Sequence, residues 1–130
     1  KAPNGNAWPS SSAYVAPITK TNGYSSITID NSQGQSNIYI KLAHPNEGKL
    51  PGIREAYIPA NKKFKMNKIE PGIYMVKYKD VETGCNYKSD FFRVEESKSQ
   101  QGVEFSDVTL TIYTMYNGNM SFEGLSENEF

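Results

Sequence analysis

Apolar and polar residues alternate along this chain in short runs, as they do in β-strands. Residues 37–43, NIYIKLA, place three aliphatic side chains on one strand face and a tyrosine and a lysine on the other. Comparable runs, separated by turn residues, recur at 24–30, 53–59, 64–66, 73–79, 85–94 and 107–116, with a last short one in MSFEG. No segment carries the apolar stripe of an amphipathic helix. The pattern predicts an all-β fold, an antiparallel β-sandwich of about seven or eight strands.

The stretch IEPGIYMVKYKDVETG, residues 69–84, joins a turn to the clearest of these strands. Pro71 followed by Gly72 suits a type II turn, and Gly84 closes a second, polar turn. The strand between the turns places three residues on one face, Tyr74, Val76 and Tyr78. The other face ends in lysines and is expected to be wet. We therefore interpret the tyrosine face as core rather than as a ligand platform.

The composition changes at both ends of the chain. Residues 1–20 begin with a stretch rich in Pro, Gly, Asn and Ser and are predicted to form an extended N-terminal arm. Residues 21–124 are predicted to form the β-sandwich domain, in which 95–102 is a charged loop and 117–119, NGN, is a hairpin turn. Residues 125–130 are predicted to be an acidic C-terminal tail.

The charge of the chain is balanced in total and uneven in position. Its 130 residues suit one domain with its own core, and 14 basic and 14 acidic residues give a formal net charge of zero. A neutral chain has no overall field to attract nucleic acid or a membrane, and no apolar run approaches the ~20 residues that span a bilayer. Residues 1–65 hold eight basic and three acidic side chains, and residues 66–130 hold six and eleven. Either the two halves interleave and the asymmetry disappears, or a bipolar surface orients a partner.

Candidate catalytic and metal-binding residues are few. His44 is the single histidine and Cys85 the single cysteine. A pair of the two would need a supporting group, and nothing around either residue supplies one, so we predict no catalytic residues and no enzyme activity. One histidine and one cysteine do not make a zinc site. The acids that could supply calcium ligands lack the spacing of a calcium loop: Asp80, Glu82, Asp90 and Asp107. No metal site and no cofactor are predicted.

Two features indicate contacts with a partner. Residues 62–68, KKFKMNK, place Lys63 and Lys65 on one strand face and two apolar residues on the other. The basic face lacks aromatic residues that would stack on bases, so no nucleic-acid binding is predicted. Trp8, the only tryptophan, lies in the polar arm and either packs back onto its own domain or anchors a partner.

A turn and strand of the form Phe64-x-Met66, Ile69, Pro71-Gly72-x-Tyr74-x-Val76-x-Tyr78 lies within residues 53–80. This element resembles one that recurs in transthyretin-like sandwiches, which include carboxypeptidase regulatory-like domains and the B repeats of bacterial surface proteins. The resemblance implies an immunoglobulin-like or transthyretin-like sandwich with a non-catalytic role as an accessory, stalk or adhesion module.

The whole chain also resembles a family of uncharacterised bacterial proteins. The residues that carry this resemblance are Asp30-Asn31-Ser32, Pro71-Gly72-x-Tyr74-x-Val76-x-Tyr78-x-Asp80, Glu82-Thr83-Gly84, Thr109-Leu110-Thr111-x-Tyr113 and Asn117-Gly118-Asn119-Met120. The resemblance implies no particular activity.

These observations favour a non-catalytic β-sandwich that binds a protein partner, as an accessory domain of a bacterial surface or exported protein. Because the chain starts at Lys1 rather than Met, we expect a signal peptide, an anchor or another domain upstream. A periplasmic, secreted or surface location follows from this expectation, while a cytoplasmic one stays open. The candidate partner contacts are Trp8, Tyr14, Lys62, Lys63, Lys65 and Tyr87.

Two alternatives stay open. The chain could be a carbohydrate-binding sandwich that stacks a glycan on exposed tyrosines and Trp8, which predicts a planar row of exposed rings. The arm, or an exposed sheet edge, could also pair with a strand of the partner. Lysines on such an edge serve equally to protect it from aggregation.

Overall fold

The computed structural model describes residues 5, 7–44, 53–89, 91–112, 122–125 and 130. Within these residues it contains strands and no helix. The strands are β1 (Ala13–Tyr14), β2 (Ser25–Asn31), β3 (Ile38–Ala43), β4 (Arg54–Ile58), β5 (Lys62–Ile69), β6 (Gly72–Asp80), β7 (Asn86–Ser89), β8 (Phe92–Val94), β9 (Glu96–Ser99), β10 (Gly102–Phe105), β11 (Asp107–Thr111) and β12 (Phe122–Leu125).

The strands form two main sheets that pack face to face. The large sheet has the order β1-β4-β3-β6-β7-β12, and β8 also pairs with β6. The small sheet has the order β11-β2-β5, and β9 pairs with β10 alone. Every pair is antiparallel except β11 with β2, which is parallel. The prediction of an all-β antiparallel sandwich is confirmed.

The strands are shorter and more numerous than the sequence pattern predicts. The run at 85–94 is interrupted and becomes β7 and β8, while 95–102, expected to be a loop, supplies β9 and the start of β10. That expectation was wrong because the β9–β10 hairpin is polar and carries no apolar alternation to reveal it. The predicted hairpin turn at 117–119 lies outside the described residues.

The inner faces of the two sheets form one apolar core. Strands β3 and β6 contribute aliphatic residues and the tyrosines of the 69–84 stretch, and β2, β5 and β11 contribute the opposing layer. The members from the large sheet include Ile38, Ile40, Leu42, Tyr74, Val76 and Tyr78, and those from the small sheet include Ile27, Ile29, Met66, Ile69 and Leu110. The prediction that the tyrosine face of β6 is core is confirmed.

The opposite face of β6 is not wet over its whole length, as the sequence had led us to expect. Met75 and Lys77 are each only 5% exposed, whereas Ile73 is exposed and Lys79 is half-buried. The outer face of the large sheet is therefore covered in part. A lysine can be buried in this way while its long aliphatic stem lies along apolar neighbours.

A second apolar cluster lies on that outer face. Cross-strand neighbours Tyr39 and Tyr57 are buried beneath Trp8, whose ring stacks on Tyr57 with centroids 5.0 Å apart. The ring of Phe130 packs edge-on against Tyr39. Trp8 thus packs back onto its own domain. Val15 completes the buried members of the cluster.

A single buried arginine ties the two sheets to the segment that precedes β2. The β2–β5 register shifts so that Ser25 faces Ile69 and Ile27 faces Met66, which leaves an extra residue in β5 at a β-bulge. Arg54, 0% exposed, lies on the inner face of β4 and donates to backbone carbonyls at this bulge and in the arm. The accepting carbonyls belong to Thr19, Lys20, Ile53, Asn67 and Lys68.

Two buried tyrosines give the fold an expected alkaline instability. Burial raises the pKa of Tyr39 and of Tyr78, and the hydrogen bond that Tyr39 donates to Glu55 raises the pKa of Tyr39 further. In the unfolded chain these phenols lose their protons near pH ~10, before they do so in the folded protein. Above that pH the free energy of unfolding should fall, by up to about 1.4 kcal/mol per pH unit for each tyrosine.

Urea denaturation between about pH 9 and pH 11 measures this fall. The double substitution Tyr39→Phe with Tyr78→Phe removes both phenols and should make the slope shallower, whatever its effect on stability at neutral pH. Part of the slope should remain, because burial also raises the pKa of Tyr57, Tyr74 and Tyr87. An unfolding free energy that stays constant in the unsubstituted protein over this range would contradict the prediction.

Candidate interaction surface

Strand β5 is an edge of the small sheet. It pairs with β2 on one side, and no strand of the described part of the chain pairs with its other side. Its inner face carries Phe64 and Met66, and its outer face carries Lys63 and Lys65. Five of its eight residues are exposed to solvent. An edge of this length presents a row of backbone N–H and C=O groups to which another strand can bind.

The arm limits how much of this edge is open. Arg54 Nη2 lies 3.5 Å from the Lys20 carbonyl oxygen and 3.0 Å from that of Lys68, so the arm passes close to the bulged end of β5. The remaining part, residues 62–66, is what we call the β5 edge. A stretch of this length is close to an ordinary strand of ~5–6 residues.

The β5 edge is basic. The whole strand contains four lysines and no acid. Lys63 Nζ lies 3.9 Å from Asp30 Oδ2 on β2, and hydrogen bonds from Ser32, with a smaller effect of Lys63, lower the pKa of Asp30. Lys65 faces Thr28 across the same strand pair. Within the described residues, Lys62 and Lys65 make no ion pair.

Side chains close the sandwich between β5 and β1. The rings of Tyr14 and Phe64 meet edge to face with centroids 4.9 Å apart, and both are half-buried. Because β1 has only two residues, these rings rather than a ladder of hydrogen bonds cover the core on this side. The β5 edge is therefore flanked by partly exposed aromatic surface.

The predicted partner contacts fall into two sets. Lys62, Lys63 and Lys65 share the β5 edge, and Tyr14 lies beside it through Phe64. The other two lie elsewhere. Trp8 covers the outer face of the large sheet, and Tyr87 is half-buried and stacks on Tyr78 with centroids 4.9 Å apart. From the sequence, Phe64 was not predicted to be a surface residue, because it shares a strand face with Met66 and that face was predicted to be the inner one.

The aromatic residues that the structure describes do not form the exposed row that carbohydrate binding predicts. Tyr39 and Tyr57 are buried, Tyr14 lies beside β5, and Tyr87 lies on β7. Tyr24 is 58% exposed and makes none of the ring contacts found among the described residues. Carbohydrate binding stays a hypothesis, and the described tyrosines do not form the planar row of exposed rings on which a glycan would stack.

His44 and Cys85 lie at opposite ends of β6. The His44 ring stacks on Tyr74 near the start of this strand, and its Nδ1 lies 2.9 Å from the Ile73 carbonyl oxygen. The Cys85 carbonyl accepts a hydrogen bond from Asp80, at the other end. Five residues of strand lie between Tyr74 and Asp80, which places these two residues about 20 Å apart along β6. The two side chains therefore do not form a nucleophile–base pair.

The part of the chain that the structure describes holds no group of three His, Cys, Asp or Glu placed to bind a metal ion. Among the same residues no helix is long and apolar enough to cross a membrane.

An open cleft of about 600 Å³ lies next to the start of β11 and is also lined by Pro71 and Gly72, the turn that follows β5. Its charged lining residues are Arg93, Glu95, Glu96 and Glu104, with Phe105 at the exposed rim. The cleft is thus mainly acidic, in contrast to the basic β5 edge, and both interpretations of the charge asymmetry stay open.

No protein-family model, curated protein or solved structure matches this chain.

Proposed function

We propose that this chain is a non-catalytic module that binds another protein by adding a strand of that protein to the β5 edge. The observation that carries the proposal is an exposed strand whose outer side has no paired strand among the described residues. Strand addition satisfies the row of unpaired backbone groups at such an edge and takes its specificity from alternate side chains. Three of the six candidate contacts lie on this strand: Lys62, Lys63 and Lys65.

Lysines also protect an edge against promiscuous pairing. Protection and binding are compatible, because a charged edge repels some strands while it accepts others. The resemblance to transthyretin-like sandwiches supports a placement as an accessory domain of an exported or surface-exposed bacterial protein. The proposal therefore includes a role as an accessory domain of such a protein.

Selection from a random-peptide display library tests the proposal without a known partner. Peptides that bind the immobilised protein are synthesised, and amide hydrogen exchange is compared with and without each peptide. We expect exchange to slow at residues 62–66, where backbone groups gain partners, and to stay unchanged at 107–111 in β11, the other edge strand of the same sheet.

Methylation of backbone nitrogens makes the same test specific for strand addition. In an added strand, alternate N–H groups face β5. One alternating set of N-methyl groups should abolish binding, while the set shifted by one residue should leave it nearly unchanged. Binders that protect other regions, or that tolerate both sets, would refute strand addition at β5.

A further inference from the structure

We infer that the strand that binds the β5 edge alternates acidic and apolar residues, with its acids opposite Lys63 and Lys65. This inference rests on the proposed function and names the chemical class of the partner segment. Alternation is required because side chains of an added strand point in turn to the two faces that β5 itself presents. One face of β5 carries Lys63 and Lys65, and the other carries Phe64 and Met66, with the exposed Lys62 at its start.

The outer face already contains an example of the expected contact. Asp30 on β2 stands opposite Lys63 and places a carboxylate oxygen 3.9 Å from its ammonium group. Lys65 has Thr28 opposite it and no ion pair among the described residues. A new strand on the free side of β5 would place its own outer residues beside the same two lysines. Carboxylates at those positions form favourable cross-strand pairs.

The inner face requires apolar residues. Inner side chains of an added strand would lie beside Phe64 and Met66 and over the edge of the Tyr14 ring, since Tyr14 and Phe64 close this side of the sandwich. Phe64 and Tyr14 are only half-buried, so apolar partner residues would remove aromatic surface from water. Charged residues there would be desolvated without a partner.

The charge of β5 argues against a second copy of this chain as the occupant. Two β5 edges paired with each other would bring together six lysines, three from each copy, and no acid. Like charges directly opposite each other destabilise a strand pair. The acidic alternating strand is therefore the occupant that fits both faces.

Three labelled peptides of eight residues test the inference by fluorescence anisotropy. The first alternates Glu and Val, the second alternates Lys and Val, and the third has the Glu and Val residues of the first in two blocks. We expect the first to bind most tightly. The first peptide should bind roughly 2- to 30-fold more tightly than each of the other two, if each of two exposed ion pairs contributes a factor of about 1.4 to 5.4. Added salt should narrow the gap to the lysine peptide.

Charge reversal on β5 supplies the matched variants. Lys63→Glu with Lys65→Glu should reverse the preference, so that the Lys/Val peptide binds more tightly than the Glu/Val peptide. Lys88→Glu with Arg93→Glu changes the net charge equally at two residues of β7 and β8, in the large sheet, and should leave the preference as it was. Circular dichroism of each variant establishes that it is folded.

The outcomes separate this inference from the proposed function. Equal binding of the Glu/Val and Lys/Val peptides, or display-selected strands without acids at alternate positions, would overturn the inference and leave strand addition standing. Equal binding of the alternating and block peptides would show a general polyanion surface and would also overturn it. If sedimentation shows that the protein self-associates through β5, the occupant of the β5 edge is a second copy of this chain and not an acidic strand. Binders that never protect residues 62–66 would refute the proposed function itself.

Discussion

Replacement of Arg54 by methionine is expected to lower the free energy of unfolding by about 3–5 kcal/mol. The guanidinium group is fully buried and bonds only to backbone carbonyls among the described residues, so its loss leaves part-buried acceptors without this donor. A fully buried acceptor without a donor costs about 1–3 kcal/mol, and the partial exposure of these acceptors keeps the total below the sum. Methionine fills much of the volume, so the measured loss reports the hydrogen bonds more than a cavity.

Urea denaturation gives the magnitude, and amide hydrogen exchange shows where the structure loosens. Faster exchange is expected first in the arm near Thr19 and at the bulge of β5, which Arg54 joins. The matched control is Arg93→Met on β8, an exposed arginine that should change stability by no more than about 0.5 kcal/mol. If the two substitutions have equal effects, Arg54 does not hold the sheets together as described.

Replacement of Tyr74 by alanine is expected to cost about 3–5 kcal/mol. The ring is 1% exposed and packs between His44 and Phe92, so its removal leaves a cavity in the core. Tyr74→Phe keeps the ring and removes only the hydroxyl group, which donates to the Glu70 carbonyl at 2.6 Å. That substitution should cost about 1 kcal/mol.

Thermal or urea denaturation of both variants checks the prediction, with Tyr24→Ala as the control. Tyr24 is 58% exposed, and truncation there should change stability by no more than about 0.5 kcal/mol. A Tyr74→Ala protein as stable as the Tyr24→Ala protein would mean that the β6 tyrosines are not the core residues that alternation and burial indicate.

The buried residues of the sheets could be predicted from sequence where apolar and polar residues alternate within one strand. In β3 and β6 the apolar residues recur at every second position, and the burial of Ile40 and Val76 follows from that alone. Arg54 shows the limit of this reasoning. It is in phase with the buried Ala56 and Ile58, yet arginines are seldom fully buried, and its acceptors lie in two distant segments of the chain. The sequence signal that could have indicated the buried Arg54 was its position on the inward face of β4.

The candidate site was predictable in part for the same reason. That Lys63 and Lys65 share a face follows from spacing within one strand. That their strand is an edge does not, because strand order depends on pairings between distant segments. The proximity of Tyr14 to Phe64, and the separation of Trp8 and Tyr87 from the lysines, likewise depend on the order of strands and on which side of a sheet each residue faces.

Because β11 pairs with β2, the small sheet cannot be completed until the C-terminal part of the chain has been synthesised. Ser26 stands opposite Asp107, 81 residues further along the chain, and donates a hydrogen bond of 2.6 Å to its carboxylate. A chain emerging from the ribosome can pair β2 with β5 early, but one edge of β2 waits for its partner until β11 has been made. Closure of so long a loop is entropically unfavourable and slows folding. Until β11 has been made, the nascent chain exposes the unpaired edge of β2, an apolar strand. Misassembly of the chain or its binding by a chaperone would therefore occur at this edge.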